Sequence, residues 1–257
     1  MTEMTMLNSL HITESNAAAP WTAVYAGDSC LMLTFGDVLS APVTRRVAAC
    51  ARRLQQAVEA GELSGVTDIV PAMVSLGIHY RPERVASGDG TGPFEALLGQ
   101  IENILEGTAA RDAFEPRRIE IPVCYGGDHG PDLDEVAGQL GVTPQALIEL
   151  HGSEWIDVLM LGFAPGHPYI GVLPAQLNPP RRATPRKHVA AGSIGLANRQ
   201  SVIYPLALPG GWNLIGRTPL TLFDVYRDEP CLLQAGDKVR FVPITPSAFD
   251  AISREGR

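Results

Sequence analysis

The chain has 257 residues, of which 45% are hydrophobic and 19% charged, so it carries enough apolar material for one large domain or two modest ones. Its formal net charge of -8 argues against binding to nucleic acid or to an anionic membrane, because both need an excess of lysine and arginine. The 4 cysteines are widely spaced, which predicts no metal site and is typical of reduced thiols in a cytoplasmic protein.

The N-terminal residues and the hydropathy of the chain both bear on localisation. Residues 1–19 contain acidic side chains and no apolar segment flanked by basic residues, which predicts a flexible leader rather than a signal peptide. No stretch of the chain approaches the roughly 18 consecutive apolar residues that a membrane helix needs. We therefore expect a cytoplasmic protein that does not enter the membrane.

Strand and helix signals alternate in the first half of the chain. The predicted elements are a strand over 29–35, an amphipathic helix over 43–58, one bulged strand or two short strands over 66–78, and a helix over 94–105. Proline at the start of the last helix and glycine after its end support those bounds. These elements predict a small α+β N-terminal domain over residues 20–110.

The second half begins with an alternating strand and continues with short β signals. The predicted elements are a strand over 118–125, helices over 131–140 and 144–151, and strands over 156–163, 201–204, 220–226 and 238–242. Thr143 precedes a proline and is expected to cap the second of these helices. Short strands between glycines and prolines are typical of a β-barrel. We predict that barrel over 111–246, with a C-terminal tail over 247–257, and hence an α+β fold class.

Glycine and proline are dense between Gly162 and Arg217. This density indicates turns of fixed geometry, where the backbone comes close to a ligand or to another segment. The alternative is that these loops are only the corners of a barrel. A binding cleft is the more informative hypothesis, since the loops also carry polar groups without an evident structural need.

Three arginines lie within six positions of this otherwise acidic chain, at Arg181, Arg182 and Arg186. Guanidinium groups bind carboxylates and phosphates in bidentate geometry. The segment is therefore predicted to hold an anionic substrate or a phosphorylated intermediate. The alternative is a solvent-exposed loop whose arginines pair with nearby acids.

Histidines supply the remaining candidates for proton transfer. His151 falls at a predicted helix C-terminus, where it could act as a general base or cap the helix as an imidazolium. His167 lies within a Pro-Gly loop and is a candidate for the cleft, whereas His129 is better explained as a turn residue. The sequence contains no Ser/His/Asp triad, Walker loop or metal-ligand spacing.

At these loops the sequence resembles the family of the 5-oxoprolinase B subunit, also called the KipI or allophanate hydrolase subunit 1 family. The motifs that carry the resemblance occur in order at Pro122–Gly127, Gly130–Leu133, Glu149–His151, Gly162–Tyr169, Pro180–Arg186, Ala191–Gly195, Gln200–Pro205 and Pro209–Gly216. The similarity is strong from Ile119 to Val242 and looser before it. Several ordered motifs are more specific than any one of them.

The resemblance implies a cyclophilin-like β-barrel after the N-terminal domain, and ATP-dependent opening of the lactam of 5-oxoproline to glutamate. It implies partners, namely a homologous C subunit and an A subunit of the same enzyme, with ATP and Mg bound at the level of the complex rather than by this chain alone. His151, Arg186 and Gln200 are the catalytic candidates. The residues expected to line a substrate- or anion-binding cleft are Phe163, Pro165, Gly166, His167, Arg181, Ser193, Tyr204, Pro209, Gly210, Gly211 and Trp212.

Departures from the family pattern keep two alternatives open. His167 stands where the family usually has phenylalanine, and Asn198, Arg199 and Ser201 replace a more glycine-rich segment. One alternative is a KipI-like inhibitor of a sensor histidine kinase. The other is a carboxyltransferase or allophanate hydrolase type of subunit that acts on a urea-like substrate.

Overall fold

A computed structural model describes residues 21–88, 90–106 and 115–255. The predicted leader over 1–19 lies outside these residues. The chain divides into two compact units, with the boundary between residues 114 and 115. Within the described residues, no helix combines the length and the apolar character needed to cross a membrane.

The first unit contains a four-stranded antiparallel sheet in the order β1-β2-β4-β3. Its strands are β1 (Thr22–Tyr25), β2 (Cys30–Thr34), β3 (Val66–Pro71) and β4 (Ser75–Tyr80). The predicted β signal over 66–78 is therefore two strands rather than one bulged strand. A single 3-10 turn, Pro82–Arg84, follows the sheet.

Two helices supply the other layer of this unit, α1 (Ala41–Glu59) and α2 (Pro93–Leu105). Each begins with a proline in its first turn, where the missing N–H costs nothing. Their apolar residues recur at helical spacing, so one face of each helix is buried. Leu54 and Ile101 are fully buried in the core that these faces form with the sheet.

The second unit is a closed barrel of seven strands in the order β10-β7-β6-β13-β5-β12-β9, with β9 paired back to β10. The strands are β5 (Arg118–Tyr125), β6 (Ile156–Leu161), β7 (Pro168–Gly171), β9 (Ser193–Ala197), β10 (Gln200–Ile203), β12 (Asn213–Arg217) and β13 (Lys238–Pro243). Neighbours are antiparallel except β5 and β13, which run parallel. The predicted α+β fold with a C-terminal barrel is confirmed.

Two short helices, α3 (Leu133–Leu140) and α4 (Pro144–His151), connect β5 to β6. The Thr143 hydroxyl accepts a hydrogen bond from the Ala146 N–H at 3.1 Å, so the predicted cap of α4 is confirmed. Both helices contribute apolar side chains to the barrel core, which also contains Ile121 and Phe241.

Three segments differ from the sequence prediction. The stretch Gly162–Arg217, in which only the strand over 201–204 was predicted, contains five further strands besides that confirmed one, including a two-stranded sheet of β8 (Arg186–Val189) and β11 (Leu208–Gly210). Residues 220–226 do not form a strand, and only Phe223 makes an isolated bridge, to Cys231. Residues predicted as a tail form α5 (Pro246–Glu255), because Phe249 has an apolar surface to bury.

Candidate functional site

The outer face of the barrel carries a second apolar cluster, separate from the interior core. Side chains alternate along β10, so Ile203 belongs to the interior while Val202 and Tyr204 lie on the opposite face. Trp212 and Leu214, at the start of β12, join this outer cluster, and Tyr169 from β7 packs against it. The outer face is therefore an aromatic surface built from three strands of the barrel.

Aromatic rings on this face contact one another, mostly edge to face. The His167 ring lies 5.3 Å from that of Tyr204 and 5.2 Å from that of Tyr169, measured between centroids. Tyr169 lies 6.2 Å from Trp212. Phe163 packs against His167 from the solvent side at 5.4 Å and is 65% exposed. Four residues predicted to line the cleft are thus brought together, and the sequence prediction missed Tyr169.

Tyr204 is buried, and its hydroxyl group makes no side-chain hydrogen bond among the described residues, with the backbone of Trp212 as its polar neighbour. Burial raises its pKa to about 12, against the smaller opposing effects of the charges on Arg181 and Arg186 and of the Trp212 backbone. The hydroxyl lies against the backbone of Gly210, where a Cβ atom would collide with it. Glycine at position 210 therefore makes room for the end of the tyrosine side chain.

His167 is buried in the same way, and neither ring nitrogen has a hydrogen-bond partner on another described residue. Burial lowers its pKa to about 4, so the imidazole is neutral at pH 7. It ends a tight turn between β6 and β7, in which the His167 N–H donates to the Ala164 carbonyl at 3.1 Å. Pro165 and Gly166 complete the turn, and Gly166 has a φ of 72° that glycine adopts without strain.

The arginine loop is anchored by a residue that the sequence prediction did not identify. Asp132 is buried, and its Oδ1 accepts hydrogen bonds from Arg182 Nη1 at 3.0 Å and from Arg186 Nη2 at 2.7 Å. Its Oδ2 accepts from the Leu214 N–H at 2.7 Å. One carboxylate thereby ties two arginines to β12. Its only sequence signal is a place within the Gly130–Leu133 motif.

Positive charge on this face exceeds the negative charge that contacts it. Arg182 and Arg186 share Asp132, and Glu135 is a more distant, exposed partner of Arg182 at 3.8 Å. Arg186 Nη1 and Arg182 Nε are buried without hydrogen-bond partners among the described residues. The arginines thus pair with an acid, as one hypothesis for this segment predicted, and they keep donors that an anion would need, so anion binding stays a prediction.

Arg181 lies on the other side of the loop and stacks its guanidinium over the Trp212 ring, 4.6 Å from the centroid. A cation held on an aromatic face keeps its N–H groups available around the rim of the guanidinium. The loop is fixed on β12 by Asn213, whose Nδ2 donates to the Pro180 and Leu196 carbonyls. The Arg182 N–H donates to the Gly211 carbonyl at 2.8 Å.

His151 does not belong to this face. It is fully buried inside the barrel, where it stacks on Phe241 with 4.0 Å between the ring centroids. Its Nδ1 lies 2.7 Å from the Tyr125 hydroxyl and its Nε2 lies 3.1 Å from Ser201 Oγ. Burial lowers its pKa to about 3, so a charged helix cap is wrong. The catalytic role predicted for His151 stays a prediction.

The remaining predicted site residues surround the face without completing it. Gln200 begins β10 opposite Gly171, and Ser193 begins β9 as a buried residue. Pro209 lies in β11 beside Gly210. His129 packs on Phe249 at 4.4 Å between centroids and its N–H closes a turn with Gly126, which agrees with its interpretation as a turn residue.

Comparison with known proteins gives a consistent set of relatives. Residues 21–233 match the family described as the carboxyltransferase domain, subdomain C and D. The 5-oxoprolinase B subunit of Bacillus subtilis (strain 168) is 38% identical over 237 residues, which are 89% of this chain and 95% of the relative. The 5-oxoprolinase B subunit of Escherichia coli O157:H7 is 42% identical over 220 residues, which are 84% of this chain and 93% of the relative.

A solved structure supports the fold. The crystal structure of the protein TTHA0988 superimposes with a TM-score of 0.70 at 35% sequence identity. The match covers 84% of this chain but only 40% of TTHA0988, so this chain spans less than half the length of that protein.

Proposed function

Because the chain belongs to the carboxyltransferase subdomain C and D family, we propose that it is one subunit of an ATP-dependent 5-oxoprolinase. The support comes from relatives named as the B subunit of 5-oxoprolinase, which align over nearly their whole length. The inhibitor and urea-type alternatives have less support, because the two relatives described above are both named as 5-oxoprolinase B subunits. We expect the complex to act in the cytoplasm.

The proposed reaction opens a lactam, which is a poor electrophile. Transfer of the γ-phosphoryl group of ATP to the lactam oxygen activates the ring carbon. Attack by water then cleaves the C–N bond, whose nitrogen takes up a proton, and a second water hydrolyses the resulting acyl phosphate. The products are glutamate, ADP and phosphate. Fixed positive charge near the reacting groups stabilises the anions that occur along this path.

The observation that carries a substrate-binding role for this chain is the surplus of guanidinium groups on the outer face. The substrate is a carboxylate, and its activated form is also a phosphate ester. Arg186 Nη1 is a buried donor without a partner among the described residues. The nearby carboxylate of Asp132 already accepts from both Arg182 and Arg186. We propose that Arg186 and Arg181 hold one of these anionic groups.

Partners are part of the proposal. We propose that a homologous C subunit and an A subunit complete the enzyme, and that ATP with Mg is bound in the assembled complex. More than half of TTHA0988 has no counterpart in this chain, which supports the idea that units of this family work beside further polypeptide.

The test is glutamate release from 5-oxoproline and ATP by the reconstituted complex. We expect Arg186→Ala to lower kcat/KM by about 10- to 100-fold, because a charge-assisted hydrogen bond contributes roughly 1.5–3 kcal/mol. Arg254→Ala removes an exposed arginine from α5 and serves as the control. Circular dichroism checks that Arg186→Ala stays folded, since Arg182 still pairs with Asp132 in that variant. Wild-type kinetics in Arg186→Ala would remove the anion-binding role.

A further inference from the structure

The arginine loop, residues 181–186, places its three arginines along one short segment of the chain, residues 210–212. Arg186 pairs with the first residue of that segment across the sheet of β8 and β11. The Arg182 N–H donates to the carbonyl of the second residue. Arg181 stacks on the tryptophan ring of the third. Three consecutive residues therefore hold three arginines beside one another.

The guanidinium groups of these arginines lie close together. Arg182 Nη1 and Arg186 Nη2 contact the same oxygen of Asp132, so these two groups are neighbours. The charges of Arg181 and Arg186 both lower the pKa of the Tyr204 hydroxyl, which means that both lie near that point. The three positive charges therefore form one cluster at the edge of the outer face.

This cluster carries more positive charge than the acids around it neutralise. Among the described residues, the acids at ion-pair distance are Asp132, which is buried, and Glu135, whose side chain is 60% exposed and 3.8 Å from Arg182. An exposed pair at that distance contributes little, because water screens it. Two of the three positive charges are thus left without a buried counter-charge.

The cluster also has unused hydrogen-bond donors. Arg182 Nε and Arg186 Nη1 are buried and have no partner among the described residues. Arg181 is stacked through the face of its guanidinium, so the N–H groups on its rim point away from the ring. Buried polar atoms in folded proteins are almost always paired, because an unpaired one loses its hydration without compensation. These donors therefore indicate a ligand with several acceptor atoms.

Charge and the number of acceptors separate the two anionic groups that the proposed function brings to this chain. A carboxylate has a single negative charge and two oxygens, so it would leave one of the two positive charges uncompensated. A phosphoryl group carries a charge of about -1.5 to -2 at pH 7 and has three acceptor oxygens. It therefore matches both the uncompensated charge and the three arginines.

We propose that the arginine loop is a phosphoryl-binding site, in which Arg181, Arg182 and Arg186 bind the phosphoryl group of the activated lactam. This inference rests on the proposed function, and it selects one of the two anionic groups that the proposed function leaves open. In the proposed reaction the C–N bond breaks while the bond between the oxygen and phosphorus persists. The phosphoryl group therefore stays on one oxygen until the second water hydrolyses the acyl phosphate, and one site can hold it throughout.

Direct binding to the full chain tests the site without turnover. Isothermal titration calorimetry compares inorganic phosphate with sulfate and with acetate. We expect phosphate to bind at least about tenfold more tightly than acetate, a difference of about 1.4 kcal/mol. Sulfate is also tetrahedral and doubly charged, so it should compete with phosphate. Acetate that binds as tightly as phosphate, or the absence of saturable phosphate binding, would overturn the inference.

Arg181→Ala is the most direct variant, because it removes an exposed arginine and leaves the ion pairs with Asp132 in place. We expect its affinity for phosphate to fall about tenfold or more, as the loss of a hydrogen bond to a charged group implies. Arg254→Ala removes an exposed arginine from α5 and should keep the wild-type affinity. An unchanged affinity in Arg181→Ala, or an equal loss in both variants, would contradict a specific site.

Kinetics of the complex separate the phosphoryl group from the carboxylate. The carboxylate is present in bound 5-oxoproline, whereas the phosphoryl group reaches the lactam only during the reaction. Arg181→Ala should therefore lower kcat about tenfold or more and leave the KM for 5-oxoproline unchanged. A raised KM for 5-oxoproline would assign the loop to its carboxylate, and a raised KM for ATP would assign it to the nucleotide. Either result overturns the inference.

The outcomes distinguish this inference from the proposed function. An active complex in which Arg181→Ala keeps the wild-type kcat, together with a full chain that does not bind phosphate, overturns the inference and leaves the proposed function standing. A wild-type complex without turnover of 5-oxoproline removes the proposed function, and with it the activated lactam as the ligand. Calorimetry with phosphate then decides whether the loop is an anion site at all.

Discussion

The barrel contains two pairs of histidine and tyrosine, one whose buried histidine lies in the interior and one on the outer face. In the interior, His151 contacts Tyr125 at 2.7 Å and Ser201 at 3.1 Å. On the outer face, His167 and Tyr204 pack against each other and their polar atoms make no side-chain hydrogen bond among the described residues. Burial lowers the pKa of both histidines, whereas only His151 has hydrogen-bond partners on other described residues.

In the interior pair, the hydrogen bond that Ser201 donates determines which atoms donate and which accept in the other hydrogen bonds. Ser201 Oγ donates to the Gly195 carbonyl at 3.0 Å, so it accepts from an N–H at Nε2 of His151. Nδ1 is then unprotonated and accepts from the Tyr125 hydroxyl. Both ring nitrogens of His151 and the hydroxyl groups of Tyr125 and Ser201 all make hydrogen bonds, as a purely structural network requires. The pair on the outer face lacks such a network, and His167 is also the histidine that the sequence analysis placed in the cleft.

The largest expected loss of stability comes from removing His151 from the interior pair. His151→Ala leaves a cavity beside Phe241 and removes the acceptor of the Tyr125 hydroxyl. We expect the free energy of unfolding of the full chain to fall by about 3–5 kcal/mol, as for other large core deletions that orphan a polar group. Denaturant titration followed by circular dichroism measures this loss. A change below about 1 kcal/mol, the size typical of surface positions, would contradict the structural role.

A change of pH tests both pairs together. Burial places the folded-state pKa of His151 at about 3 and that of His167 at about 4, below the ordinary 6.5. The unfolded chain then binds more protons as the pH falls through 6.5, so stability is complete above that pH and is lost below it. Between pH 7.5 and 5.0 each histidine should remove about 2 kcal/mol.

The matched variant for this test is His167→Phe, which should reduce the pH dependence by the contribution of one histidine. His151 remains in that variant and continues to destabilise the fold in acid. Denaturant midpoints at several pH values between 5.0 and 7.5 give the slope for each protein. An unchanged slope would show that His167 is not buried and neutral in the folded chain.

The smallest expected change in the free energy of unfolding comes from Tyr→Phe substitutions, and its sign distinguishes the two pairs. Tyr125→Phe removes a donor that is used, so the free energy of unfolding should fall by about 1 kcal/mol, the net contribution of one hydrogen bond. The same substitution at Tyr204 is expected to stabilise the chain, because the hydroxyl that it removes is buried and makes no side-chain hydrogen bond. Thermal unfolding of the two variants side by side measures both changes. If the Tm of both variants shifted in the same direction, the two tyrosine hydroxyl groups would not differ in their hydrogen bonding.

Much of the architecture could be predicted from the sequence because the periodic segments are long. Helix α1 and strand β5 show clear period-3.6 and period-2 patterns, and the cap and proline of α4 give its correct bounds. Strand β9 was missed because all of its residues, Ser193–Ala197, are buried and no alternation is visible. Strands β8 and β11 are only three or four residues long, and their glycine and proline resemble turns.

The site was predicted in part. The arginine loop and the aromatic residues were identified because unusual residue types cluster locally in the sequence. Asp132 was missed because its contacts with Arg182 and Arg186 join segments 50 and 54 residues apart. The burial of His151 did have a signal, since Leu147 lies four residues earlier on the same helical face and is also buried.

The parallel pairing of β5 with β13 has a consequence for how the barrel forms during synthesis. Residue 118 pairs with residue 238, so the first strand of the ring meets its last one. The ring cannot close until almost the whole second unit has left the ribosome, and such a long-range closure is slow. Until then β5 exposes an unpaired edge that another nascent chain can bind. A stop codon before Lys238 would make that exposure permanent, and the truncated product would aggregate rather than fold.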